Sequence, residues 1–125
     1  MITRFALLRH AVPADFRRGS HWDLLLEREE VCWTWALEEL PAGIEGDQGP
    51  TVVEALRLPD HRKHYLEYEG PVSKDRGVVT RVLEGQCQWQ ESTDQRICVQ
   101  LASERGVRVL LLESSSGERW QLSVR

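Results

Sequence analysis

His21 and Asp23 stand two apart in the segment His21-Trp22-Asp23. On a strand, residues i and i+2 leave the same face. A neutral imidazole and a carboxylate pointing the same way make two corners of a divalent-metal site. The third ligand must come from elsewhere. His10 ends the preceding strand-like run, and the loop between His10 and His21 can fold it back alongside. His61 and His64 are the other choices. These are the chain's four histidines, and all lie within its first 64 residues, next to loops where sites concentrate. The H-x-D spacing is common, and a surface histidine hydrogen-bonded to a neighbouring aspartate is its plainer meaning. With a distant histidine it also matches the two-His-one-carboxylate pattern of non-haem iron oxygenases.

A second cluster, Asp60-His61-Arg62-Lys63-His64, is basic enough to meet an anion, and equally suits a solvated loop. Phosphate-binding loops, dinucleotide-binding glycine motifs, nucleophile elbows and H-E-x-x-H zinc motifs are absent from the sequence. Of the five tryptophans, Trp33 and Trp35 share one face of a strand, and they read as core together with Trp89 and Trp120. Trp22, between the two candidate ligands, must face the opposite way and pack inward. Stacking of nucleobases on these rings is a secondary possibility.

The elements that would position these residues are short strands. Phe5–His10 suits a first strand, and 11–20 has loop composition. His21–Glu27 alternates imperfectly and leads to a Glu29-Glu30 turn. Val31–Leu37 is rich in strand formers and reads as the return strand of a hairpin. Helix over Glu29–Leu40 is the nearest rival, because Glu, Leu and Ala favour it. Pro41–Pro50, with three glycines, is a long loop. Thr51–Leu58 fits a strand or a short helix, and Pro59–Tyr68 is polar and irregular. Beyond Gly77 the runs 78–83, 85–90, 97–103, 107–113 and 120–124 alternate with turn signals at 84–85, 92–94, 104–106 and 114–117. Glu104-Arg105-Gly106 reads as a tight hairpin with glycine at the positive-φ position. The expected fold is a single mostly β domain over residues 1–125, a compact antiparallel β-barrel with at most a short helix.

Composition narrows the classes. A chain of 125 residues with 41% hydrophobic content supports one core. Its apolar runs are too short for a membrane helix, and its first residues carry no signal-peptide pattern, so a cytoplasmic protein is expected. Cys32, Cys87 and Cys98 form no C-x-x-C pair and suggest buried thiols rather than a disulfide framework. Twenty acidic against 16 basic residues, a formal charge of −4, argues against a non-specific DNA binder but leaves room for contact with a nucleic-acid end.

Several segments, taken in order, follow one family's pattern. His10 is followed by His21-Trp22-Asp23-Leu24-Leu25-Leu26-Glu27 and Thr34-Trp35-Ala36-Leu37. Then come Asp60-His61-Arg62-Lys63-His64-Tyr65-Leu66-Glu67-Tyr68-Glu69-Gly70, Glu84-Gly85 before Trp89, and a closing 120–125. Over nearly its whole length the chain resembles the 3′-phosphoesterase module of the bacterial DNA ligase D type, which also occurs as a stand-alone protein. Family members show a histidine, H-Y-D-F-R-L-E, a strand near S-W-A-V-P-K-G-P, D-H-P-x-x-Y-x-x-F-E-G, D-x-G-x-W and W-L-L-I-K.

The resemblance implies a β-barrel hydrolase of DNA repair, with a divalent metal, manganese favoured. Such enzymes remove a 3′-phosphate or a terminal ribonucleoside before ligation. It makes His10, His21 and Asp23 metal ligands, has His61 contact or protonate the phosphate, and has Tyr65 line the site. Expected partners are nucleic-acid 3′ ends and a DNA ligase or other repair protein, with no membrane. The chain also departs from the pattern. The arginine two residues after the aspartate is Leu25, the lysine after the W-A-V-P run falls at Glu39, and Val53 stands near the place of another arginine. The glycine-rich loop shortens to Ser73-Lys74-Asp75-Arg76-Gly77, and the His10-to-His21 spacer is longer. Arg17, Arg18, Arg57, Arg62 and Lys63 are the cations available to replace the missing ones at a phosphate. If none does so, the expectation becomes a non-catalytic module of the same fold that binds nucleic-acid ends or a repair partner.

Overall fold

A computed structural model describes residues 1–13, 19–74 and 76–125. Arg17 and Arg18 lie outside the described residues. Eight antiparallel strands close a barrel: β1 (Ile2–Ala11), β2 (His21–Arg28), β3 (Val31–Leu37), β4 (Val52–Arg62), then β9 (Arg119–Val124), β8 (Gly106–Ser116), β7 (Arg96–Ser103) and β6 (Val78–Ser92). The β1–β6 pairing completes the circle and removes free edges. The short β5 (Gly70–Pro71) pairs with β6 outside the ring. One 3-10 turn, Lys63–Leu66, is the only helical element among the described residues.

The two-residue period of the strands builds the interior. Phe5 and Leu7 of β1, Leu24 and Leu26 of β2, and Trp35 and Leu37 of β3 point inward with Leu110, Leu112, Trp120 and Leu122. Trp35 and Trp120 meet edge to face at 5.7 Å, a favourable aromatic geometry. Trp22, Trp33 and Trp89 pack against this core from its margin. The long loop after β3 returns Ile44 into the same core. Cys32, Cys87 and Cys98 are buried free thiols. Burial pushes Cys32 up to about 11 and Cys87 to about 12, which suits packing rather than reactivity.

β1 and β2 are buried on both faces. Their outward residues Ala6, Leu8 and Leu25 form a second cluster with Cys32, Leu66 and Val79, roofed by Tyr65, Tyr68 and Val72. This double burial explains the imperfect alternation of Leu24-Leu25-Leu26: an outward residue that meets a roof is apolar too.

Two sequence expectations change. Pro59–Tyr68 is not wholly irregular, because β4 runs on to Arg62. A register shift lies between its Cys32 and Thr34 pairings, and the proline sits at that irregularity, where a ladder donor is dispensable. Glu84-Gly85 is not a turn either, because β6 is one continuous strand. Gly85 pairs with Phe5 of β1, just before β6 begins to pair with β7 as well at Gln86. A Cβ there would stand 1.9 Å from the Ala102 carbonyl oxygen and 3.1 Å from the Phe5 ring. The glycine marks a close backbone approach, which composition alone cannot tell from a turn. The open choices at 29–40 and 51–58 both resolve as strand.

Gly85→Ala should lower stability by about 1–3 kcal/mol through this backbone clash. Gly46→Ala, with nothing within 4 Å of its added Cβ, should stay within about 0.5 kcal/mol of the parent. Urea unfolding of the two variants checks the contrast.

Candidate metal centre

The β1–β2 register sets His10 directly opposite His21, and Leu8 opposite Asp23. Directly opposed residues share a face, so the alternation that sends Leu24 inward sends His21 and Asp23 outward beside His10. One ligand atom from each of the three lies within 4.8 Å of the other two. The imidazole rings are 4.9 Å apart. Asp23 is 3% exposed and His21 5%, so water cannot solvate the carboxylate as it would at a surface.

Each histidine is oriented from behind. His10 Nε2 donates to the Arg76 carbonyl at 2.7 Å, and His21 Nδ1 donates to the Gly19 carbonyl at 2.8 Å. A carbonyl only accepts, so these contacts assign the ring hydrogens. In the neutral rings the lone pairs then fall on His10 Nδ1 and His21 Nε2. Those are the nitrogens facing Asp23, at 3.5 Å from Oδ2 and 3.0 Å from Oδ1. Oδ1 is buried without a hydrogen-bond partner among the described residues. Lone pairs that converge on a buried carboxylate call for a positive charge between them, either a proton on a ring or a cation. Backbone carbonyls behind the imidazoles are the usual support of metal-ligating histidines. The residues therefore fit a divalent ion, although two imidazoles and a carboxylate suit manganese, iron or zinc alike.

The Asp23 carboxyl is held at about 2. Burial pushes it up, but the approaches of His10 and His21, and the charges of His21 and His61, outweigh burial.

His10 and Asp23 of the triad line a cavity of about 300 Å³, together with Asp60, His61, Arg62, Tyr65, Val72 and Arg76. The end of β4 and the 3-10 turn bring His61 and Tyr65 there, with ring centres 5.8 Å apart. His61 Nδ1 donates to the Pro59 carbonyl at 3.0 Å. His64 is exposed and packs against Tyr65 and Tyr68 instead. A larger groove of about 700 Å³ lies away from the histidines. There Arg4 pairs with Glu67, and Arg81 with Glu69 and Glu84, so its charges answer one another.

Of the described residues read as phosphate ligands, the structure brings only Arg62 to the cavity. Arg57 is opposite Trp35 and lies over the Trp33 and Trp35 rings, 3.6 Å from Asp60. Lys63 pairs with Glu27 at 3.4 Å. Leu25 is wholly buried under the roof, Val53 faces the interior core, and Glu39 is exposed. Arg76 was missed as a cavity residue. Its one signal was its place before Gly77 in the shortened loop, which says nothing about which strand that loop meets.

No family model matches the chain, and neither does any curated protein. No helix among the described residues is long and apolar enough to cross a membrane.

With a folded pKa of about 2 against an ordinary value of 3.8, Asp23 adds stability above pH 3.8 that is lost as pH falls toward 2. In metal-free protein, Asp23→Asn should remove that part of the acid dependence, about 2 kcal/mol between pH 5 and pH 2. Urea unfolding of both proteins across this range reads the difference.

Proposed function

We propose that the chain is a divalent-metal-dependent phosphoesterase that trims 3′ ends of nucleic acid, a divergent relative of the ligase D phosphoesterase module. One observation carries the reading. Segments far apart in sequence that match that module in order meet at one cavity: His10, Asp23, His61 and Tyr65 line it, and His21 has a ligand atom within 4.8 Å of those of His10 and Asp23. His10, His21 and Asp23 would hold the ion, with manganese favoured by the resemblance. When bound, a divalent ion supplies charge neutralisation for a phosphoryl group and acidifies water.

The protein's own groups complete the site. With Nδ1 committed to the Pro59 carbonyl, His61 has Nε2 as the nitrogen through which to hold a proton for a phosphoryl or leaving oxygen. The Tyr65 ring packs beside His61 and bounds the cavity. Leu8, Val72 and Val79 give it an apolar floor, where charge-assisted contacts gain strength. Nucleic-acid 3′ ends are the substrate class, and a DNA ligase or other cytoplasmic repair protein the companion activity.

Incubation with Mn²⁺ and a primer–template ending in a 3′-phosphate or a 3′-ribonucleotide should release phosphate or nucleoside. Chelation should abolish release, and His21→Ala should lower it by more than about 100-fold. No release, or release unchanged in His21→Ala, overturns the enzyme. A second reading draws on the engagement of Arg57 and Lys63 elsewhere. A site with so few cations suits a module that binds ends without turnover, and tight end binding with no product would establish it.

A further inference from the structure

The cavity's arginines differ from the ion-paired cations of the molecule. Arg4, Arg57, Arg81, Arg96, Arg119 and Lys63 each stand against a carboxylate. Arg62 and Arg76 line the cavity, and neither has a carboxylate within ion-pair distance among the described residues. Of the cavity's acids, Asp60 is already answered by Arg57, and Asp23 stands against the two histidines. Two arginines without an ion-pair partner among the described residues therefore line the space beside the triad.

Arg76 is also held in place. Its Nε donates to the Ser73 carbonyl at 2.9 Å and its Nη2 to Ser73 Oγ at 3.0 Å, which fixes the plane of the guanidinium. Its backbone carbonyl accepts from His10. The next residue makes that contact possible. Gly77 has φ +98°, and a Cβ there would stand 2.1 Å from the Ala11 carbonyl oxygen. The chain thus presses directly on the end of β1. The Gly77 carbonyl accepts from Val72 N at 2.8 Å, and the Tyr68 hydroxyl donates to the Pro71 carbonyl.

We propose that Arg76 joins the two halves of the site: its carbonyl positions His10 as a ligand, and its guanidinium, with Arg62, binds the oxygens of a phosphoryl anion. It takes over the anion-binding task from positions where this chain carries Leu25, Glu39 and Val53. The assignment rests on the phosphoesterase reading for the identity of the anion. A planar guanidinium fixed on one edge is suited to bind an oxyanion with its remaining N–H groups. Because the carbonyl belongs to the backbone, replacing the side chain separates the two roles.

The test titrates Mn²⁺ alone, and then inorganic phosphate in the presence of Mn²⁺, into the folded protein and follows both by calorimetry. Arg76→Ala should leave the Mn²⁺ Kd within about threefold while weakening phosphate about 10- to 100-fold. Arg76→Lys should recover part of the loss. Gly77→Ala, which shifts the carbonyl, should weaken Mn²⁺ about 10- to 100-fold, with circular dichroism verifying the fold. Phosphate binding unchanged in Arg76→Ala overturns this assignment and leaves the phosphoesterase reading standing. Failure of the parent protein to bind Mn²⁺ overturns both.

Discussion

The candidate centre depends on one cross-strand pair, His10 opposite His21. Antiparallel pairing sets the two imidazoles side by side, and the two-residue period adds Asp23 to the same face. The hydrophobic core enforces this register. A slip by one residue would turn Leu7, Leu24 and Leu26 out of the interior and carry the ligands into it. The face that carries the candidate metal centre is thus held by the burial of apolar side chains on the other side of the same two strands.

The outer face would be solvated in an ordinary barrel. Here the segment from the end of β4 to the start of β6 covers it, with Leu66, Tyr65, Tyr68 and Val72 over Ala6, Leu8 and Leu25. The same segment contributes His61, Tyr65 and the Arg76 carbonyl. One piece of chain therefore excludes water from the Asp23 carboxylate, orients one of its partners and lines the adjoining cavity. Lowered solvation strengthens the charge interactions at the triad and makes an unbalanced carboxylate there costly.

Much of this was legible in the residues. Val31–Leu37 and the hairpin at Gly106 follow from strand propensity and turn chemistry. The barrel follows from many short strands with turns between them. The H-x-D pair was readable because alternation along a strand is a local property, whereas His10 as its third member, among three candidate histidines, came from the family resemblance. The roof was not. Pro59–Tyr68 looked irregular because its polar residues face a cavity rather than a core. Glu84-Gly85 looked like a turn because a glycine needed for close strand approach has the same composition as a glycine in a bend.

The cations divide along the same line. From sequence, Arg57, Arg62 and Lys63 were equivalent charges near a histidine. In three dimensions Arg57 lies over two tryptophans, Lys63 meets Glu27, and Arg62 stays at the cavity beside Arg76. By itself the sequence determined most of the strands and the grouping of His21 with Asp23 on one face, since each depends on neighbours within a few residues. Only the tertiary structure decided which cations face the triad and which carbonyls orient its rings. Those contacts join residues tens of positions apart, brought together by barrel closure and the docking of the Gly77 segment on β1.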